Sequence, residues 1–167
     1  MSDLFISRER AEKDLLAAAA YLAERIRSSD GHAEAMNAVL PLYLSRGEVD
    51  LAAELANSIA DPYSRDKLLM LVAEKCAEID DVEYARQLAD AVEDQGLRSQ
   101  TYERIALVRA GKGDAQGALE IAETMAHPDF VIAGVAANQS ENGDSAAAKA
   151  SVETIDFPTA RVSAVQH

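Results

Sequence analysis

Few residues in this 167-residue chain have the types and spacing that catalysis or metal binding requires. His32 and Glu34 match the His-x-Glu part of a zinc deaminase site, but that site also needs a Pro-Cys-x-x-Cys segment, and the only cysteine is Cys76. The acidic run at residues 80–83 lacks the glycine and the terminal glutamate of a calcium-binding loop. We therefore expect neither a metal site nor another cofactor.

The remaining candidates for chemistry are two isolated side chains and one pair of glycines. Cys76 has no His and acid at a readable spacing to activate it, so we expect a buried structural thiol. His127 precedes Pro128 and is expected to lie at a helix end. Gly111 and Gly113 lack the preceding strand and the spacing of a phosphate-binding loop. The sequence therefore predicts a protein that is not an enzyme.

Charge and composition restrict the class of partner. The chain has 16 Lys and Arg against 29 Asp and Glu, a net charge of −13, whereas phosphate binding needs clustered basic residues. We therefore expect no nucleic-acid partner. No apolar run is long enough to span a membrane, and the charged start of the chain does not resemble a secretory signal. With a single cysteine, no internal disulfide can form, and a cytoplasmic location is expected.

The elements that must position any functional surface are repeated along the chain. Four turn-like stretches centre on Gly47, Asp80, Gly113 and Gly143, at steps of 33, 33 and 30 residues. Five residues after each centre stands an alanine: Ala52, Ala85, Ala118 and Ala148. Eight residues before each centre stands a β-branched residue: Val39, Val72, Ile105 and Val135. A period of this size is typical of a solenoid.

Apolar residues on both sides of each turn recur at helical spacing. Offsets of 5, 9 and 12 residues after the turn fall on one face of a helix, and offsets of 8 and 11 before it fall on another. Each unit is therefore predicted to be an antiparallel pair of helices, A and then B. The turn residue between them adopts the left-handed conformation that ends helix A.

The pattern predicts an all-α fold in which residues 1–167 form one helical repeat domain. We expect an N-terminal helix followed by helix pairs and a terminal half repeat, with these bounds: 8–30, then 32–60, 62–93, 95–126 and 128–155, then 158–167. The second half of the first helix is expected to act as a B helix, because Ala19, Leu22, Ala23 and Ile26 keep the residue types found 33 positions later. Residues 1–7 are either a short cap or a frayed tail.

These features resemble the tetratricopeptide repeat family, from about Gly31 onward. The likeness lies in a large and then a small apolar residue in helix A, a Gly-Asp-like turn, and the alanine five residues later. The large-small pairs are Val72-Ala73, Ile105-Ala106 and Val135-Ala136. The chain departs from the family in helix B, where large and small residues are exchanged: Ala56, Ala89 and Ala122 stand where the family has an aromatic residue. The resemblance implies a superhelix whose A helices line a concave groove for a peptide or a helix.

Eight positions would face that groove in the register that the resemblance gives. They are Asn37, Lys67, Met70, Glu74, Gln100, Glu103, Leu107 and Phe130. The Lys and Asn side chains with which some family members hold a peptide carboxylate are replaced here by Met, Glu and Leu. The mixture of apolar and acidic groups suits a protein or peptide partner with apolar and basic residues. The expected function is a non-enzymatic scaffold for protein–protein interaction.

An alternative function follows from the terminal half repeat, residues 158–167. Val162 and Val165 stand thirty residues after Ile132 and Val135, in the pattern of an A helix without its B helix. An array that exposes apolar residues at its end is adhesive, whereas natural arrays close with a polar cap. The segment is therefore a single capping helix, a contact that builds a homo-oligomer, or the sign of a fragment of a longer repeat protein.

Overall fold

Ten helices account for most of residues 5–155, the part of the chain that the computed structural model describes. In chain order they are α1 (Arg8–Lys13), α2 (Leu15–Ala23), α3 (Ser29–Ser45), α4 (Val49–Asn57), α5 (Pro62–Glu78), α6 (Val82–Ala91), α7 (Gln95–Gly111), α8 (Ala115–Ala122), α9 (Asp129–Glu141) and α10 (Ser145–Glu153). No strand occurs in this range, so the predicted all-α class is confirmed. The half repeat predicted at 158–167 and residues 1–4 lie outside it.

The four predicted turns have left-handed backbone at their central residue. The φ angles of Gly47, Asp80, Gly113 and Gly143 are 75°, 67°, 86° and 83°. In the first turn, the Gly47 N–H donates to the Leu44 carbonyl at 3.0 Å and the Glu48 N–H donates to the Tyr43 carbonyl at 3.1 Å. The same pair of hydrogen bonds recurs in the other three turns. This Schellman geometry satisfies the last carbonyls of the helix and ends it.

The residue after each left-handed position starts the next helix. The carboxylates of Asp81, Asp114 and Asp144 each accept a backbone N–H from the first turn of the helix that follows, at 2.9–3.1 Å. Such an N-cap satisfies one of the otherwise unpaired donors of the helix. Each of these turns therefore sets two helix boundaries with two adjacent residues: the first ends α5, α7 or α9, and the second begins α6, α8 or α10.

The glycines at the end of α7 provide a test of this turn. A methyl group added at Gly113 or at Gly111 meets no atom within 4 Å, so neither substitution causes a clash. Gly113→Ala should lower the free energy of unfolding by about 1 kcal/mol, because an L side chain is disfavoured at its positive φ. Gly111→Ala, in the last position of the helix, should raise it by about 0.5–1 kcal/mol. Urea unfolding measures both, and a Gly113→Ala protein as stable as the wild type would contradict the turn geometry.

The single helix predicted over residues 8–30 is instead two helices, which break at Asp14. This residue has extended backbone angles of φ −134° and ψ 124°, and it caps both the end of α1 and the start of α2. Its carboxylate accepts the Leu16 N–H at 2.9 Å and an N–H of the Arg46 guanidinium at 2.5 Å. The cap and the ion pair stabilise the break, which falls 33 residues before Gly47. The next helix, α3, then begins at Ser29, earlier than predicted.

Most of the apolar residues that would give α2 the role of a B helix are not buried. Ala23 is buried as expected, but Leu22 and Ile26 are exposed, whereas their counterparts Leu55 and Ile59 are buried. The cause is the short α1, which has no buried residue and packs against no helix other than α2. Ahead of α1, Ile6 is buried, and the Glu24 carboxylate accepts its N–H at 3.1 Å.

The helices contact only near neighbours along the chain. We call α3, α5, α7 and α9 the A helices and α4, α6, α8 and α10 the B helices. Each A helix contacts the next A helix, and α4, α6 and α8 each contact the A helix before them and the A helix after them. A continuous apolar core follows this path, built on residues such as Met36, Leu69, Val72, Ile105 and Val135. None of the helices within residues 5–155 has the length and apolar character needed to cross a bilayer.

Candidate protein-binding surface

The eight predicted groove residues all lie on the A helices, and most of them reach solvent. Asn37, Lys67, Gln100 and Phe130 are exposed, on α3, α5, α7 and α9 respectively. Glu103 and Glu74 are half-buried, and Leu107 is partly exposed. We call the solvent-facing side chains of these four helices the A-helix surface. Its composition is mixed, with apolar, basic, acidic and amide groups.

Met70 is the exception, because it belongs to the core. Its side chain is only 8 % exposed, so little of it is available to a partner as the predicted apolar anchor. The repeat alignment gives no sign of this burial, because it places Met70 level with Asn37, which is exposed, and with Glu103, which is half-buried.

Glu74 is paired within the protein by a residue that the sequence interpretation missed. Arg104 on α7 donates to the Glu74 carboxylate on α5 at 2.5 Å, with both side chains partly exposed. The two residues are 30 positions apart, so the 33-residue register does not align them. This pair connects consecutive A helices across the surface. A basic group of a partner must therefore displace Arg104 or turn to another carboxylate, such as that of Glu103.

Leu107 also packs partly against the neighbouring helix α9. A methyl group built on Gly134 would overlap the end of the Leu107 side chain, so this leucine lies directly over the backbone of α9. Gly134 thus allows α7 and α9 to approach closely at this point. Only the outer part of Leu107 remains available to a partner.

A recess between α3 and α5 adds apolar residues that the predicted set did not contain. It has a volume of about 350 Å³ and is lined by Pro41, Leu44, Ser45, Leu71, Glu74, Lys75 and Glu78. Its apolar part comes from Pro41, Leu44 and Leu71, while Lys75 and Glu78 form an ion pair at 2.7 Å on its rim. An apolar side chain flanked by a charged one would fit such a recess.

A second recess lies on α7, among predicted residues. It is lined by Gln100, Glu103 and Arg104, and its character is polar. Arg104 has only donor groups and already donates to Glu74. The hydrogen-bond acceptors that face this recess are therefore the Glu103 carboxylate and the Gln100 amide oxygen. The A-helix surface therefore combines one largely apolar recess with one hydrogen-bonding recess on neighbouring helices.

The residues that could do chemistry are dispersed over the fold. His32 and Glu34 lie near the start of α3, and Cys76 lies near the end of α5. Cys76 is fully buried, as predicted, and burial with the nearby carboxylates of Asp81 and Asp50 raises the pKa of its thiol to about 11. Within residues 5–155, no three His, Cys, Asp or Glu side chains are grouped to hold a metal ion.

Asp66 is a buried carboxylate whose role is structural. It is 1 % exposed and accepts the backbone N–H groups of Glu93 and Asp94 at 2.9 and 2.8 Å. The Arg65 guanidinium donates to its other oxygen at 2.8 Å. Burial alone would raise the pKa of Asp66, but the Asp94 N–H and Arg65 outweigh it and hold the pKa below its ordinary value. The carboxylate therefore ties α5 to the segment between α6 and α7.

The chain matches no known protein-family model, and it has no significant similarity to a curated protein or to a solved structure. The tetratricopeptide resemblance therefore stays a prediction based on the residues of this chain.

Proposed function

We propose that this chain is a non-enzymatic scaffold, a tetratricopeptide-like solenoid with a period of about 33 residues, which binds another protein through the A-helix surface. The observation that carries the proposal is the row of A helices. Each contacts the next, from α3 to α9, so their outward side chains form one surface along the stack. The spacing of the left-handed turns supports the repeat, since four such turns occur at steps of 33, 33 and 30 residues.

The chemistry of this surface favours a partner segment with apolar and basic side chains. The recess between α3 and α5 offers Leu71 and Leu44 to an apolar anchor. Glu103, which no ion pair in the described residues engages, offers a carboxylate to a lysine or arginine. Phe130 extends the apolar part of the surface onto α9, where half of its side chain is exposed. A few such anchors supply most of the binding energy in a typical interface.

The test is capture of the partner with a variant of this surface and a matched control. The surface variant carries Glu103→Lys and Phe130→Ala, which leave the Glu74–Arg104 pair intact. The control carries Glu120→Lys and Ile79→Ala, the same kinds of change at exposed positions of α8 and of the turn after α5. A protein captured from native lysate by the wild type is identified, purified and titrated against all three by calorimetry.

We expect the control to bind as the wild type does and the surface variant to bind at least about tenfold more weakly. Circular dichroism should show the same helical signal for all three proteins. If the surface variant and the control bind the partner equally well, the A-helix surface is not the binding site.

A second candidate function, self-assembly, is favoured by a different observation. Leu15 and Leu22 on α2 are 88 % and 65 % exposed, a degree of exposure unusual for large apolar side chains that are close together. They lie at the end of the stack opposite to α10.

A further inference from the structure

An apolar groove runs between α2 and α3. On the α2 side, Leu15, Ala19 and Leu22 follow each other at i, i+4 and i+7, which places them on one face of the helix, and all three are exposed, as is Ile26 just beyond the helix end. On the α3 side, Leu42 is also exposed, and the recess of about 430 Å³ between the helices is lined by Leu15, Leu16, Ala19, Leu42, Ser45 and Arg46. We call this surface the α2–α3 groove.

The contacts of the later units explain why this groove is open. There, an A helix contacts both its own B helix and the next A helix: α3 contacts α4 and α5, α5 contacts α6 and α7, and α7 contacts α8 and α9. The A helix therefore covers the junction between those two helices. In the first unit, α1 contacts α2 but not α3. It has 6 residues, whereas α3, α5 and α7 have 17 each.

The electrostatics of the groove suit an apolar occupant. Its only ionised side chain among the lining residues is Arg46. The guanidinium of Arg46 is held by the Asp14 carboxylate at 2.5 Å, at the junction of α1 and α2. The remaining lining is aliphatic apart from the Ser45 hydroxyl, which donates to the Leu42 carbonyl at 2.7 Å. A suitable occupant is therefore a helix with an aliphatic edge, and it requires no charged group to pair with the groove.

We propose that the α2–α3 groove binds residues 158–167 of a second copy of the chain. This segment lies outside the described residues, and its sequence repeats the A pattern of α9: Pro158, Val162 and Val165 follow Pro128, Ile132 and Val135 by thirty residues. Val135 is fully buried in the stack and Ile132 is partly buried. In a helix, valines three residues apart form one aliphatic edge, and such an edge could pack into the uncovered groove.

The donor segment must come from another copy, because its own groove is out of reach. It follows α10, and neither α9 nor α10 contacts any helix before α7. Residues 156 and 157, which join Ile155 to Pro158, span at most about 10 Å. That length is close to one interhelical distance of about 8–10 Å, whereas α2 lies beyond α7, α5 and α3.

The resulting contact is head-to-tail. Each copy donates residues 158–167 at one end and presents an α2–α3 groove at the other, so two different surfaces meet and the contact can repeat. In the bound state, the donor takes the place that an A helix takes in the later units, and the stacking continues from one copy into the next. This inference rests on the self-assembly candidate and is independent of partner binding by the A-helix surface.

Complementation between two variants tests the proposal. Leu22→Glu damages the groove and leaves the donor intact, while Val165→Glu damages the donor and leaves the groove intact. Sedimentation equilibrium of the wild type should show a mass that rises with concentration above the monomer mass of 17.9 kDa. Each variant alone should sediment as a monomer. An equimolar mixture should form a dimer of the two variants, because one intact donor meets one intact groove.

Ile79→Glu, a change of the same kind at an exposed leucine-sized side chain outside the groove, is the control and should assemble as the wild type does. Helical circular dichroism should be unchanged in every variant. A wild type that stays monomeric at about 1 mM would overturn the proposal. A Val165→Glu protein that still assembles would also overturn it, because assembly would then not depend on residues 158–167. Partner capture by the A-helix surface should be unaffected by Val165→Glu, which separates the two proposals.

Discussion

Asp66→Ala is expected to lower the free energy of unfolding by about 3 kcal/mol. The substitution removes a buried acceptor from the N–H groups of Glu93 and Asp94, and within residues 5–155 it leaves the Arg65 guanidinium with the exposed Glu93 as its only ionic partner. It also disconnects α5 from the segment that links α6 to α7. For a chain of this size, such a loss corresponds to a fall in Tm of about 6–12 °C. Urea unfolding and a thermal melt measure both quantities.

Two further variants show whether the carboxylate itself is responsible. Asp66→Asn keeps the size of the side chain and one acceptor oxygen, so its loss of stability should be smaller than that of the alanine variant. Glu54→Ala removes an exposed carboxylate from α4 and should change stability by less than about 0.5 kcal/mol. An Asp66→Ala protein as stable as Glu54→Ala would contradict the structural role of this residue.

The contribution of Asp66 should also depend on pH. Its pKa in the folded protein lies below the ordinary value of 3.8, so the folded state holds the ionised form more strongly than the unfolded state does. The stabilisation is therefore fully present above the ordinary pKa and is lost as the pH falls through the folded pKa. Wild type and Asp66→Asn should differ in stability at neutral pH, and the difference should shrink in acid below about pH 4. A difference that is constant from pH 7 to pH 3 would contradict the ionised state of Asp66.

The turns could be predicted from the sequence because their determinants are local. Glycine reaches a positive φ without steric cost, and an aspartate directly after it caps the next helix through its own neighbours. Both signals are present at Gly113 and Gly143. The aspartate cap alone marks the turn at Asp80, and the glycine alone marks the turn at Gly47, because Glu48 makes no side-chain cap. The helices on either side of each turn could be predicted for the same reason, since apolar spacing within one helix requires no knowledge of the rest of the fold.

At Asp14 the sequence contains local signals for a helix break, although one helix was predicted across this position. Asp14 stands 33 residues before Gly47, and it also has the residue type of an N-cap, which are two signals for a break. The unbroken apolar pattern after it favoured one long helix. The Arg46 contact that helps to hold Asp14 in place comes from 32 residues further along the chain, and its partner was not identifiable from spacing alone.

The candidate binding surface was less predictable than the fold because it depends on contacts between units. The register placed all eight residues on A helices, but it could not show that Met70 lies in the core or that Arg104 holds Glu74. Asp66 was missed for a related reason. The corresponding positions in the neighbouring units are Ala33 and Ser99, so a residue that matters in one unit leaves no repeated signal.

The second large effect is expected from overpacking at Ala106. This residue is fully buried on α7, which contacts α5, α6, α8 and α9. Ala106→Leu adds three carbon atoms where the small side chain allows close approach of helices, and it should cost about 1–3 kcal/mol. Ala150→Leu, an exposed position on α10, is the matched control and should change stability by less than about 0.5 kcal/mol.

The comparison of these two leucine variants also tests the proposed repeat register. Ala106 is the small residue seven positions before Gly113, and Ala73 holds the same place before Asp80 and is equally buried. If the register is correct, Ala73→Leu should be destabilising as Ala106→Leu is, because both alanines occupy equivalent contacts between A helices and their neighbours. Thermal melts of the three variants decide the matter. Wild-type stability of either Ala106→Leu or Ala73→Leu would mean that these alanines do not hold the stacked units together.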